Sequence, residues 1–379
     1  MSLLAASCCG RATDSPVVLR PCELVRRAGR TPRRARQRPR YTPGVTGSSA
    51  DRTARTGVVL VNHDSAEDTV GCIASLEASH DLDMDVVVVD NSDSPASLAA
   101  LRDLIGDRAA VVSSGGNLGY AGGSNVGIRQ CLERGNEFVW LLNPDTRIEP
   151  ETLPRLLELL AEVPDCGVVG PRLVHPAAPG SPETVWFDGG IVDEDKAGET
   201  RHLHQGRPTG KVPAPVARDV DYVTGASLLT RRTVLETVGL LPEDYFLYFE
   251  ETHWCRDVRR AGWRVMVDQR ARMLHHQRSS GALPSPYHLY YMTRNRYLFV
   301  ERALGGDGEA ALAQLEGKWL KNWRRKVEAT APAWLDEFDA LVVRAGADAR
   351  AGRDGRNDEV SHVPWPADVD RSGDEVGRR

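Results

Sequence analysis

The feature that most constrains this chain is a pairing repeated along its first half. A short β-branched run is followed by a stretch with helix-like character, and the pattern recurs from Gly57 to Val163. The runs are "GVVLVN" (Gly57–Asn62), "DVVVVD" (Asp85–Asp90), "AAVVSS" (Ala109–Ser114) and "FVWLL" (Phe138–Leu142). Each is apolar on successive residues, as a strand covered on both faces must be, and strands separated by helices run parallel. Between and after them, "SAEDTVGCIASLEAS" (Ser65–Ser79), "PASLAALRDLI" (Pro95–Ile105) and "PETLPRLLELLAEV" (Pro150–Val163) have the spacing or the opening residues of helices. The predicted class is therefore α/β, with a mostly parallel, Rossmann-like sheet flanked by helices. Further on, "CGVVGPRLV" (Cys166–Val174) reads as another strand, and 175–219 is a Gly/Pro-rich excursion of weak periodicity.

Three of these strands end in polar residues: Asn62-His63, Asp90-Asn91-Ser92 and Asn143-Pro144-Asp145. Pro144 cannot donate to a sheet ladder and biases Asn143 away from helix, so the fourth strand stops there and presents Asp145. One Asp at a strand tip is an ordinary turn residue. Several polar tips on neighbouring parallel strands mean more, because ligands bind at the carboxyl ends of open α/β sheets. Carboxylates aimed at one crevice repel unless a cation or a ligand hydroxyl stands between them.

Three other stretches carry chemistry. The loop "SGGNLGYAGGSNVGIRQCLERG" (Ser114–Gly135) is rich in glycine and leads into a helix that Ser124 or Asn125 can cap. It reads either as an anion-binding helix start or as a tight βα turn, and it lacks the dinucleotide and P-loop fingerprints. In "YFEETHWCRDVRRAGW" (Tyr248–Trp263), Glu250 and Glu251 open a helix among aromatic residues. They read as acids complementing the helix dipole, or as carboxyls of raised proton affinity suited to general-base work. In "HHQRSSG" (His275–Gly281), adjacent histidines point to opposite faces of extended chain, so at most one faces a site. Structural and metal- or phosphate-binding roles both stay open.

Composition bounds the rest. With 379 residues, 41% hydrophobic and 27% charged, the chain suits one large or two ordinary globular domains, and no apolar run is long enough to span a bilayer. The net charge of −5 hides a basic N-terminal arm, with 12 arginines against three acids in residues 1–56. That arm is read as a disordered extension rather than a nucleic-acid or membrane element, and not as a secretory signal. The seven cysteines form no C-x-x-C pair or zinc spacing, which suits reduced structural thiols.

Taken in order, "VVLVNHDS", "VVVVDNSDS", "GGNLGYAGGSNVGI", "LLNPDT", "VTGASLLTRR", "YFEETHWC", "HHQRSSG" and "YYMTRNRYLF" resemble a family-2 glycosyltransferase of the GT-A fold, in the rhamnosyltransferase-like branch. The resemblance covers 56–304. It implies a nucleotide-binding half at 56–174 and a mixed acceptor and catalytic half at 175–304. Outside it lie a disordered extension at 1–55, a helical segment at 305–344 and a disordered tail at 345–379. The implied activity is inverting, metal-dependent transfer of a sugar, first a deoxyhexose such as rhamnose, from a dTDP- or UDP-linked donor. The acceptor would be a saccharide, a lipid-linked saccharide or a small metabolite. By position, Asn62, Asp90, Asn91, Asn117, Gly119, Asn143 and Asp145 would bind the nucleotide sugar. Asp145 with His275 or His276 would hold Mg²⁺ or Mn²⁺. Glu251 or Glu250 would be the base, and Gly225, Ala226 and Trp254 would meet the acceptor. "NPD" offers one carboxylate where the family's D-x-D has two, and His253 stands where the family often has Asp. Those departures keep open an inactive sugar-nucleotide-binding or scaffold protein on the same fold. The expected location is cytoplasmic, with at most peripheral membrane contact and no nucleic-acid partner.

Overall fold

A computed structural model describes residues 55–79, 83–276 and 283–363. The basic arm, residues 364–379 and the serines of "HHQRSSG" lie outside them. β1 (Thr56–Asn62), α1 (Ala66–Glu77), β2 (Met84–Asp90), α2 (Pro95–Ile105) and β3 (Ala110–Ser113) follow the expected alternation. So do α3 (Gly119–Glu133) and β4 (Phe138–Leu142). β1 pairs in parallel with both β2 and β4, and β2 with β3. The middle of each run is sealed on both faces: Val58, Val59, Leu60, Val87, Val88, Val89 and Leu141 are essentially inaccessible. Burying such a side chain contributes roughly 1.5–3 kcal/mol, which is why uninterrupted apolar runs select the sheet's centre.

One helix start differs from expectation. α3 begins at Gly119, so Ser124 and Asn125 lie inside it rather than capping it. The glycines let it start early and lie close to the sheet: a Cβ on Gly127 would run into Val59 of β1. Asn125 instead bridges to the backbone of Leu241, donating to its carbonyl at 2.9 Å and accepting its amide at 3.1 Å.

Beyond β4 come β5 (Thr146–Ile148), α4 (Thr152–Glu162) and β6 (Cys166–His175). The excursion 175–219 is more ordered than its composition suggested, holding β7 (Thr184–Phe187), β8 (Gly190–Asp193), β9 (Glu199–His202) and β10 (Ala217–Asp219). β11 (Ser227–Arg231), α5 (Arg232–Val238), α6 (Glu250–Arg260) and β12 (Arg264–His275) complete the sheet region. Its strand order is β10-β12-β6-β11-β4-β1-β2-β3, with β8 and β9 forming a separate hairpin. β11 is antiparallel to both β4 and β6, whereas β12 is parallel to β6. A parallel Rossmann-like half thus continues into a mixed half, the GT-A-type arrangement.

α7 (Pro286–Phe299), α8 (Gly308–Gln314), α9 (Lys321–Thr330), α10 (Leu335–Arg350) and α11 (Asp358–Ser361) follow. The boundary expected at 345 is displaced: α10 runs on to Arg350 and buries Ala345 and Ala349. Small residues that look like linker in sequence are here the close-packing face of a helix. Cys72, Cys131, Cys166 and Cys255 are free and buried, and burial pushes their thiols up to about 12. No helix among the described residues is long and apolar enough to cross a membrane.

Candidate active site

The first corner of the site is built by strand register. After β4 ends at Leu142, the Asn143-Pro144-Asp145 turn feeds β5, which pairs antiparallel with the end of β12, setting Thr146 opposite His275. The amide of His276 then donates to the carbonyl of Asp145 at 2.8 Å. This places Nε2 of His275 3.2 Å from Oδ1 of Asp145. The approach is off the hydrogen-bonding direction, so Asp145 Oδ1 and both His275 nitrogens are buried without a hydrogen-bond partner. Burial works to raise the Asp145 carboxyl, but His275, then its own backbone amide and last Arg147 outweigh it and hold it below its ordinary value. Trp186 stands edge-on to the His275 ring, with centroids 4.2 Å apart, and His175 stacks on it at 6.3 Å. His276 is exposed, so of the two histidines His275 faces inward and only the backbone of His276 serves this corner. Among the described residues, no three His, Cys, Asp or Glu side chains converge. One carboxylate and one imidazole, both with orphaned atoms, form a donor pair that suits a divalent cation completing its shell elsewhere.

The second corner is the glycine loop, organised by the tip of β2. The Asn91 carboxamide accepts the amide of Leu118 at 3.1 Å and donates to the carbonyl of Gly119 at 3.1 Å. Asn117 folds back to accept the amide of Gly119 at 3.0 Å. Gly119 has φ +73, and a Cβ there would strike the carbonyl of Phe246. Only glycine admits both the left-handed backbone and that contact. Tyr120 N–H donates to the same Phe246 carbonyl at 2.9 Å. Asp90 is buried with one oxygen accepting the Ser97 hydroxyl at 2.9 Å. Asn62 is buried too: its oxygen takes the Thr69 hydroxyl at 2.9 Å, and its Nδ2 has no partner.

The third corner is the turn before α6. Phe246, Tyr248 and Phe249 all have positive φ, a cost of roughly 1–3 kcal/mol each for residues that are not glycine. At Phe246 the chain makes a γ-turn of the strained hand, with Leu247 N–H donating to the Tyr245 carbonyl at 2.9 Å. Buried Asn295 on α7 compensates by donating to the carbonyls of Tyr245 at 2.9 Å, Leu247 at 2.6 Å and Tyr248 at 3.2 Å. Arg294 adds a fourth donation, to Tyr245 at 2.9 Å. The turn delivers Glu250 and Glu251, each with a buried Oε2 that has no partner. Burial and then the Glu251 charge push the Glu250 carboxyl well above the usual range. Burial also raises Glu251, but the backbone amides of Glu251, Gly225 and Thr252 pull it back. The dipole of α6 favours ionised acids here, and desolvation is the larger effect.

The acceptor-side candidates divide. Gly225 and Ala226 lie where the corners meet: Tyr120 donates its hydroxyl to the Gly225 carbonyl at 2.6 Å, and Asn143 N–H donates to the Ala226 carbonyl at 3.1 Å. Trp254 does not. It is 1% exposed within the core, its indole N–H bound to Gly239, so it packs α6 against the sheet. His253 is likewise structural, meeting the Tyr245 hydroxyl through Nδ1 at 2.9 Å. The sequence reading missed Tyr120, Trp186, Arg294 and Asn295. "TRNR" was visible as part of a motif, but nothing local showed that its Asn would hold a turn some fifty residues away.

Polar groups at the strand tips, with an acid pair and a glycine loop beside them, are an arrangement that suits a transferase of the nucleotide-sugar type. Residues 57–237 match the pattern of glycosyl transferase family 2, and the chain is a glycosyltransferase. The low-salt glycan biosynthesis hexosyltransferase of Haloferax volcanii is 28% identical over 77% of this chain and 93% of its own. The N-acetylglucosaminyl-diphospho-decaprenol L-rhamnosyltransferase of Mycobacterium tuberculosis is 26% identical over 67% of this chain and 87% of its own. A solved mannosyltransferase from Pyrobaculum calidifontis, in complex with GDP-Man and Mn2+, is 16% identical, with 79% of this chain and 88% of that one covered and a TM-score of 0.46.

Proposed function

We propose that this protein transfers a deoxyhexose, rhamnose first, from a dTDP- or UDP-linked donor to an acceptor hydroxyl, with inversion and with Mg²⁺ or Mn²⁺ held by Asp145 and His275. The observation that carries the reading is the pair Asp145 Oδ1 and His275 Nε2, 3.2 Å apart, buried and without hydrogen-bond partners. A divalent cation bound there would act as a Lewis acid on the donor diphosphate and offset charge developing on the leaving group. The rhamnosyltransferase relative supports the choice of sugar, and its diphospho-decaprenol acceptor supports a lipid-linked saccharide. Contact with such an acceptor would be peripheral and from the cytoplasmic side.

The remaining steps fall to the chain's own groups. Asn91 and Asn117 shape the loop for the nucleotide, and Asn62 Nδ2 is a free donor beside it. Asp90 offers a carboxylate to the ribose or base, and Asn143 flanks the diphosphate. Glu251 takes the acceptor proton as the hydroxyl attacks the anomeric carbon, while Glu250, whose burial favours the protonated form, stays neutral behind it. Gly225 and Ala226 present backbone to the acceptor.

Calorimetry of the full chain with dTDP, UDP and GDP, in Mn²⁺ and then in chelator, tests this. Metal-dependent binding of dTDP or UDP, lost in Asp145→Asn, is expected. Binding unaffected by chelator would overturn the metal assignment, and no binding of any of the three would overturn the donor site.

A further inference from the structure

The segment that the sequence assigned to an unfolded tail is tied to both active-site loops. After α10, Gly355 N–H donates to the carbonyl of Asp244 at 2.5 Å, and its own carbonyl accepts Arg294 Nη1 at 2.8 Å. The same Arg294 reaches the Tyr245 carbonyl, so one buried guanidinium joins this segment to the strained turn before Glu250. Asn357 anchors the segment from below, donating to the Tyr290 hydroxyl at 2.9 Å and to Asp348 at 3.0 Å. Between these anchors Arg356 extends to the glycine loop. Its Nη1 and Nη2 meet the two carboxylate oxygens of Asp93 at 3.0 and 2.9 Å, and Nη1 also lies 3.3 Å from the Asn117 carbonyl. Asp93 in turn accepts the Asn117 amide at 2.9 Å.

We propose that 352–358 is a strap that holds the donor loop in its binding geometry, with Arg356 a positioning residue acting through Asp93 on Asn117. The proposal rests on the donor-site reading for its consequence, though not for its mechanics. An isolated exposed ion pair contributes little, but here both partners are bidentate and Asp93 also fixes a backbone amide. The strap brings together 244–245, 93 and 117, so loop order and the C-terminal segment are coupled. Nucleotide would then meet a loop already arranged, with less ordering cost on binding.

The experiment uses the full chain and two readouts. In Arg356→Gln, hydrogen exchange at the amides of residues 117–119 should speed about tenfold, with Tm within a degree or two of the parent. Affinity for dTDP or UDP with Mn²⁺ should fall about three- to tenfold while kcat at saturating donor is kept. Arg356→Lys should recover part of the protection. Asp93→Asn should behave like Arg356→Gln, and the double variant should be no worse than either alone. Unchanged loop exchange in Arg356→Gln, or tighter nucleotide binding, would overturn the proposal. If the parent binds no nucleotide, the donor-site reading fails, and the exchange measurement still decides the strap.

Discussion

Nε2 of His275 and Oδ1 of Asp145 stand 3.2 Å apart although 130 positions separate them in the chain. They meet because the last residue of β12 pairs with the first residue of β5, one step past the strand-tip turn. The imidazole is held between rings, and apart from the Asp145 carboxylate neither nitrogen meets a protein polar group at hydrogen-bonding geometry.

Replacing His275 by Gln should raise the Mn²⁺ concentration needed for nucleotide binding by at least about tenfold, in line with the usual cost of disturbing a metal site. His276→Gln should leave it unchanged, because that side chain is exposed and only its amide is used. A metal titration followed by calorimetry separates the two. Equal effects would mean that the buried histidine is not the ligand.

Glu251→Gln should lower kcat by about 10²–10⁴-fold, the usual range for a general base, with nucleotide affinity unchanged. The wild-type rate should fall on the acid side at a pH above the ordinary glutamate range, since burial raises that carboxyl. Near-normal turnover in the variant would transfer the role to Glu250.

Glu250 gives a stability test whose sign is fixed. Its carboxyl is raised in the folded state, so the fold favours the protonated form. That contribution is fully present below the unfolded value of about 4.3 and is lost as pH rises through the folded value. Glu250→Gln, neutral at every pH, should therefore be more stable than the parent at pH 8, because burial and the Glu251 charge oppose ionisation of the folded carboxyl. Melting curves from pH 4 to 8 should show the gap closing toward acid. A gap that widens toward acid would reverse the assignment.

Asn295→Ala should cost about 2–4 kcal/mol, because the Leu247 and Tyr248 carbonyls of a strained turn lose their side-chain donor inside the protein, while Tyr245 keeps Arg294. Turnover should fall with it, since the turn aims Glu250 and Glu251. Urea unfolding and steady-state kinetics check both. A stable variant with full activity would show that the turn holds without its clamp.

Much of the fold could be read from residue pattern alone. Val58–Leu60, Val87–Val89 and Leu141 report strands covered on both faces, because only a doubly buried strand tolerates no polar alternation. Asp145 at the tip of β4 followed from Pro144, whose ring ends a ladder wherever it falls. Trp254 was misplaced because an aromatic residue in a helix fits a core or a cleft equally well until its neighbours are known. α3 began early because glycine's low helix propensity was outweighed by close packing on β1.

Periodicity and turn chemistry are local, so the sequence by itself determined the strand–helix alternation, the strand tips and the acidic start of α6. Register between distant strands is not local, and only the tertiary structure decided that His275 rather than His276 meets Asp145. Likewise only the fold could bring Asn295 under Tyr245 and carry Arg356 back to Asp93. Those contacts depend on which surfaces close over one another, a choice made by the summed burial of the whole sheet and its helices rather than by any one segment.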